Sequence, residues 1–346
     1  MRIAILGALG GAALGAGAPA AAQAPSPLFA GEEPIHLVIQ APLTGLIHNR
    51  DSDAQVSGTI TDPAGQTLPV TLALRGITRR MSDTCDFPPL RVDFASPPAS
   101  SLFAGQKRLK LITHCRGSAS FQQYLLLEYG AYKMYNVLTP RSFRVRLANI
   151  DYRDANGRPI ISRVGYFLES LKDVARRNGL PETHAPDHIP VSDLSPMDSA
   201  RYALFQHMIG NHDWSMRAGP AGKDCCHNAE LIGPLAPGMT IPVPYDFDFS
   251  GMVSAPYATP PDVLHISDVR QRVFRGYCNH NAQTMSVAAQ MRASHAAMLA
   301  ALGAVPGLED KTRQRASNYL EGFFRDIATD SDVNTKVIAR CVVGAD

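Results

Sequence analysis

Between residues 35 and 114, apolar positions alternate with polar ones in short runs: IHLVIQ, VSGTIT, PVTLALRG, LRVDF and RLKLITH. A two-residue period sends successive side chains to opposite faces of an extended chain. Turn formers such as DPAGQ (62–66) and SPPASS separate the runs. The pattern predicts an antiparallel sheet or sandwich-like layer. From 118 to about 138 the period lengthens. Tyr124, Leu125, Leu127, Glu128, Ala131, Tyr132, Tyr135 and Leu138 recur at threes and fours, which predicts an amphipathic helix ended by Pro140. SFRVRLANIDYRD and ISRVGYFLES read as two more strands around the turn DANGR, and a short helix follows over 170–178.

Beyond a Pro/Asp/His-rich connector, 181–196, the pattern turns mainly helical. Ser195, Pro196 and Asp198 open a helix that runs to about Ile209. SDVRQRVFRGY, AQTMSVAAQMRASHAAMLAAL and KTRQRASNYLEGFFRDIA read as further helices, while AELI and IPVPYDFDF read as short strands. The expected class is α+β: a β-rich region over 35–180 with one long helix, then a mainly helical region over 181–346.

The first residues change the expected address. Met1-Arg2 precedes a run over 3–18 made only of Ala, Gly, Leu and Ile, and small residues continue to Ala24. This is the pattern of a secretory signal peptide over 1–24, cleaved after Ala22 or Ala24, with a retained anchor as the alternative. Residues 25–34 read as a flexible leader. No later stretch is long and apolar enough to span a membrane, so the mature chain is expected to be secreted or periplasmic with no membrane span. Six cysteines in an exported chain favour disulfides. Cys85 with Cys115 is the first expected pair. One of Cys225 and Cys226 with Cys278 is the second, leaving the other for Cys341. A net charge of +2 without a basic block gives no support to a nucleic-acid partner.

Two polar clusters in the second region carry candidate chemistry. GNHDWSM (210–216) follows an apolar helix, and His227-Asn228 lies a little beyond it; YDFDFSG (245–251) is the second cluster. In an extended segment Asp246 and Asp248 share a face while Phe247 and Phe249 point away. Two carboxylates on one face repel unless a cation lies between them. A hard ion such as Mg²⁺ takes carboxylate and phosphate oxygens, and an Asn side chain adds a neutral one. The order Asp, Asn, then Asp-Phe-x-Gly (Asp248 to Gly251) is similar to that of phosphoryl-transfer sites. A transition-metal reading stays open beside it, with His212, Asp213 and His227 as ligands.

With these motifs the chain resembles the spore coat protein H (CotH) kinase-like family over roughly residues 70–275. The resemblance rests on ALRGITRR, RLKLITH, a Glu-bearing helix, LTPRSFRVRL, GYFLES, N-x-D-W followed by HN, and D-x-D. It implies a two-lobed protein-kinase-like fold with a β-rich N-terminal lobe and a helical C-terminal lobe. It implies an exported, metal-dependent phosphotransferase using ATP or another nucleotide with Mg²⁺ or Mn²⁺, acting on a protein or another hydroxyl acceptor. Asp213 takes the place of the catalytic base. Asn228 and Asp246 take those of the metal ligands, with Asp248 additional or alternative. Lys110 matches the phosphate-binding lysine and Glu128 its partner. Glu169 falls at the nucleotide hinge, and Arg75 and Arg79 near phosphate. The competing classes are an inactive binding or envelope protein that keeps the fold, and a different metal enzyme, either a hydrolase or a D-x-D glycosyltransferase.

Overall fold

A computed structural model describes residues 24–344, so the expected signal peptide lies outside the described residues except for Ala24. Seven strands, β1 (Ile35–Gln40), β2 (Gln55–Thr61), β3 (Thr67–Leu74), β4 (Leu90–Phe94), β5 (Arg108–Ile112), β6 (Val145–Arg153) and β7 (Pro159–Leu168), close into one barrel. Their order is β1-β2-β3-β4-β5-β7-β6. Neighbours are antiparallel except β1 and β6, which run parallel with Ile35 opposite Ala148 and Gln40 opposite Arg153. Closure pairs the two strand edges that an open sheet leaves exposed. This barrel overturns the two-lobed kinase-like expectation. Alternation along a strand tells which face is buried, not which distant strand it pairs with.

The longer helical segments are α1 (Pro27–Ala30), α2 (Leu43–His48), α3 (Ala119–Leu138), α4 (Leu171–Arg177), α5 (Pro196–Ile209), α6 (Asn281–Gly303) and α7 (Asp310–Asp326), of which α1, α2 and α3 pack on barrel strands. A small antiparallel sheet joins β8 (Glu182–Thr183), β9 (Ala229–Ile232) and β10 (Ile241–Pro244) in the order β10-β9-β8. Residues 25–34 are not a loose leader: α1 buries Leu28 and Phe29 in the barrel core. That core also holds Leu37, Leu72, Val92, Leu111, Ile150 and Phe167. A second core forms where α3, α5, α6 and α7 bring together Leu127, Met134, Phe205, Met291 and Phe323.

Two local readings change. The segment 267–277 is a turn and an extended stretch rather than a helix. The side-chain oxygen Oε1 of Gln271 accepts from the Ser267 and Asp268 N–H groups, and Asp268 Oδ1 accepts from Arg270 N–H. These local bonds compete with the helical ladder. The disulfides are Cys85–Cys115, Cys225–Cys226 and Cys278–Cys341, so the expected link from the Cys225/Cys226 pair to Cys278 is replaced. Cys85–Cys115 fastens the excursion between β3 and β4 to the end of β5, beside the isolated bridge of Phe87 with Cys115. Arg79 lies on that excursion.

Candidate functional site

The β9–β10 hairpin assembles the site. Its register pairs Ala229 with Pro244 and Glu230 with Val243. One step further sets Asn228 opposite Tyr245, whose N–H donates to the Asn228 carbonyl at 3.1 Å. The next residue, His227, feels the charge of Asp246. On the other side His227 bridges Ser215, with N–H to carbonyl distances of 2.9 and 3.2 Å, which brings in the loop holding Asp213. That loop leaves α5 through Gly210 in a left-handed conformation, φ 65° and ψ 38°, where a side chain would also collide with the Tyr319 hydroxyl. Trp214 is buried, donates Nε1–H to the Asn211 carbonyl at 2.9 Å and packs on Tyr202. It holds the loop in place.

Asp213 is held by two donors. His227 Nε2 lies 2.6 Å from Oδ1, and Asn228 Nδ2 donates to Oδ2 at 3.0 Å and to the Asp213 carbonyl at 2.7 Å. The hydrogen bond that His227 donates to Asp213 raises the His227 pKa against the opposing cost of burial, and the charges of Asp213 and Asp246 add to the rise. With its nitrogen pinned, the Asn228 amide turns Oδ1 away from Asp213, and no described group donates to it. Asn228 and Asp246 both adopt positive φ, 51° and 62°. Asn and Asp tolerate that region best among residues with a Cβ, and such conformations concentrate at functional sites. Asp246 therefore does not continue β10, which ends at Pro244. The extended D-x-D face is replaced by a turn.

The turn sends both carboxylates to one guanidinium. Arg79 Nη2 lies 2.5 Å from Asp246 Oδ1, Nη1 lies 3.0 Å from Glu128 Oε2 and Nε lies 3.2 Å from Asp248 Oδ2. Tyr257 donates its hydroxyl to Asp248 at 3.0 Å, and the Asp246 N–H donates to the Tyr132 hydroxyl oxygen at 2.8 Å. Burial pushes the Glu128 carboxyl up despite Arg79, and pushes Asp248 well above the usual carboxylate range. Burial acts the same way on Asp246, but Arg79, Arg75 and Lys110 outweigh it and hold that carboxyl low. Burial by itself would lower the Arg79 pKa. Asp248, Glu128 and Asp246 reverse this and hold it well above its ordinary value. Burial first, and the neighbouring carboxylates after it, make Glu128 and Asp248 bind protons more tightly than free carboxyls do, against the opposing charge of Arg79.

Other expected residues take different places. Lys110 does not reach Glu128; its Nζ lies 2.5 Å from Glu230 Oε1 on β9 and 4.7 Å from the centre of the Tyr245 ring. Arg79 has taken Glu128 instead. Glu169 is buried and bound at 3.0 Å to Arg177 Nε, and its Oε2 accepts from the Arg144 N–H at 2.9 Å, which fixes the end of β7 rather than leaving a free hinge carboxylate. Arg75 is half-buried, makes no ion pair among the described residues and contributes positive charge at Asp246. His212 is buried, with Nε2 2.7 Å from the Gln271 carbonyl, and burial lowers its pKa. It supports the loop. Glu230 and Arg275 were not singled out from sequence. Arg275 donates to the His212 carbonyl at 2.6 Å and covers the Trp214 ring at 4.6 Å. The alternation in AELI, which puts Glu230 opposite in face to buried Ala229 and Leu231, was the available signal for Glu230.

Among the described residues, the one group of three His, Cys, Asp or Glu side chains close enough to share an ion is Glu128, Asp246 and Asp248, with ligand atoms within 4.8 Å. Arg79 already lies against all three. The void beside Arg79, Glu128, Asp248 and Tyr257 measures about 10 Å³, close to the minimum for a single water. These residues fit a guanidinium. Asn228 Nδ2 is taken up by Asp213 and Asp246 Oδ1 by Arg79, while Asn228 Oδ1 and Asp246 Oδ2 have no partner among the described residues. No protein-family model matches the chain, and no curated protein matches it. No helix among the described residues is long and apolar enough to cross a membrane.

Proposed function

We propose that this chain is a metal-dependent phosphotransferase that moves a nucleotide phosphoryl group to a hydroxyl acceptor. The observation that carries the reading is the pinning of Asn228: Nδ2 is spent on Asp213, so Oδ1 is left for an ion beside Asp246. Asn228 and Asp246 are the proposed ligands for Mg²⁺ or Mn²⁺, which when bound supplies positive charge to phosphate oxygens. Asp213, oriented by His227 and Asn228, accepts the proton of the attacking hydroxyl. Arg75 and Lys110 offer charge to the remaining phosphate oxygens, Lys110 by exchanging Glu230 for phosphate. The order of Asp213, Asn228 and Asp246, which resembles the motif of the spore coat protein H family, supports the same roles. Three disulfides support an exported chain, secreted or periplasmic.

The engagement of Lys110 by Glu230 favours a second reading, a nucleotide-binding protein that transfers nothing. One experiment separates the two. ATP binding is measured by calorimetry with and without Mg²⁺ or Mn²⁺, alongside transfer of labelled γ-phosphate to the protein itself or to added acceptor proteins. Metal-dependent binding, with transfer lost about 100-fold or more in Asp213→Asn, is the expected result. Metal-dependent binding without any transfer selects the second reading. A folded protein that binds no nucleotide with either metal rules out both.

A further inference from the structure

A solvent-open groove of about 630 Å³ lies between α7 and the turn around residue 270, and neither Asp213 nor Asp246 lines it. Lys311, Gln314, Arg315, Asn318, Tyr319 and Gly322 line one wall. Their spacing of three and four residues places them on a single face of α7. The opposite wall supplies Arg270 and Arg272. Both walls are therefore basic, in a chain whose overall charge is only +2.

The cations are positioned but not neutralised. Arg272 donates Nε–H to the Met208 carbonyl at 3.0 Å and Nη2–H to the Tyr319 carbonyl at 2.5 Å, with its guanidinium 3.8 Å from the centre of the Tyr319 ring. Tyr319 in turn donates its hydroxyl to the Arg270 carbonyl at 3.0 Å. These contacts fix the groove through neutral groups. None of Arg270, Arg272, Lys311 and Arg315 forms an ion pair among the described residues, whereas Arg313 of the same helix lies 2.7 Å from Asp310. Burial lowers the Arg272 pKa; Tyr319 and Asp326 oppose this, while Arg270 and Arg325 lower it further. Gln314 gives its amide to Asn318 Oδ1 at 2.8 Å, which leaves the Asn318 amide N–H groups for the groove. Like charges gathered in a preformed concavity raise the local concentration of anions.

We propose that this groove is an anion site for a phosphate group carrying at least two negative charges, either a free polyphosphate or a phosphate ester. Planar guanidinium forks match the several equivalent oxygens of such a group, and Lys311 adds a point charge. A single carboxylate would leave most of the positive charge uncompensated. The site shares no residue with the Asp213–Asp246 cluster and stands whether or not that cluster transfers phosphate.

The test is calorimetric titration of the full chain in EDTA, which removes divalent ions from the other site. The probes are inorganic pyrophosphate, glycerol 3-phosphate and acetate. Saturable one-to-one binding of a phosphate probe is expected, weakened about tenfold or more in the double variant Arg270→Gln/Arg315→Gln. Both side chains are exposed, so its thermal midpoint should match the unmodified protein. Arg313→Gln should bind as the unmodified chain does. Tighter pyrophosphate points to a free polyphosphate, and equal or tighter glycerol 3-phosphate to an ester. Either result supports the site. No saturable binding, equal binding by the double variant, or acetate binding as tightly as phosphate would overturn it.

Discussion

The acidic residues around Asp246 form two clusters that differ in what each one has left to offer. Around Arg79, Glu128 and Asp248 are buried and spent on the guanidinium, with Tyr257 completing Asp248. Around Asp213, the carboxylate and His227 keep about 35 % of their side-chain surface exposed, and Asn228 Oδ1 has no described partner. Asp246 belongs to both, one oxygen on Arg79 and the other unengaged. A carboxylate cluster is thus not chemistry by itself. Burial with full satisfaction marks a structural knot, while partial exposure with unused donor atoms marks a place for a ligand.

The strongest way to break this contrast is to remove the centre of the knot. Arg79→Met takes away the one cation that contacts Glu128, Asp246 and Asp248 and leaves three carboxyls, two of them buried, without it. Removing one partner of a buried ion pair costs about 3–5 kcal/mol. Equilibrium urea denaturation at neutral pH should show a loss of that order, with Arg79→Lys intermediate because an ammonium cannot span three acceptors. A denaturation midpoint unchanged by Arg79→Met would mean that the knot does not hold this part of the fold together.

A smaller effect separates the members of the knot by pH. The folded Asp248 pKa is raised by burial, so the folded state holds its proton more tightly than the unfolded chain. Its contribution is fully present below the unfolded value near 3.8 and is lost as pH rises through the folded value. Asp246 has the opposite sign: its folded pKa is lowered, so its contribution is present above 3.8 and lost as pH falls through the folded value. Asp248→Asn should therefore gain stability relative to the unmodified protein as pH is raised from 4 toward neutrality. Paired thermal melts across that range check it, and parallel curves would show that Asp248 does not titrate abnormally.

Legibility followed the range of the interactions. The period-two runs and the long period of α3 report burial one residue at a time, and they marked most strands and the 119–138 helix. The parallel pairing of β1 with β6 leaves no trace in either strand, so barrel closure was not legible. The polar residues of GNHDW, HN and YDFDF stood out because carboxylates and amides flanked by apolar segments need a reason to be there. Their partners did not. Arg79 reaches Glu128 only because the 78–80 turn folds over α3, and that exchange sends Lys110 to Glu230. The 267–277 segment was misread because its spacing suits a helix, while Asp268 and Gln271 spend their side chains on nearby backbone N–H groups.

The weakest expected effect lies on the open side of the comparison, where it sharpens the distinction most. His227 is held above its ordinary pKa by its hydrogen bond to Asp213, so its contribution is complete below the unfolded value of 6.5 and disappears as pH rises through the folded value. Because both partners are about one-third exposed, solvent screens the pair and the stability involved is under about 1 kcal/mol. His227→Gln keeps a donor near Asp213 but cannot titrate. Its stability relative to the unmodified protein should improve slightly from pH 6 to 9, in contrast to the large loss expected for Arg79→Met. Proton-detected NMR of the histidine ring provides the direct check, with the His227 midpoint above 6.5 in the unmodified protein and falling when Asp213→Asn removes the carboxylate. A midpoint at or below 6.5 would mean that Asp213 and His227 do not act as a pair, and the positioning assigned to His227 would fall with it.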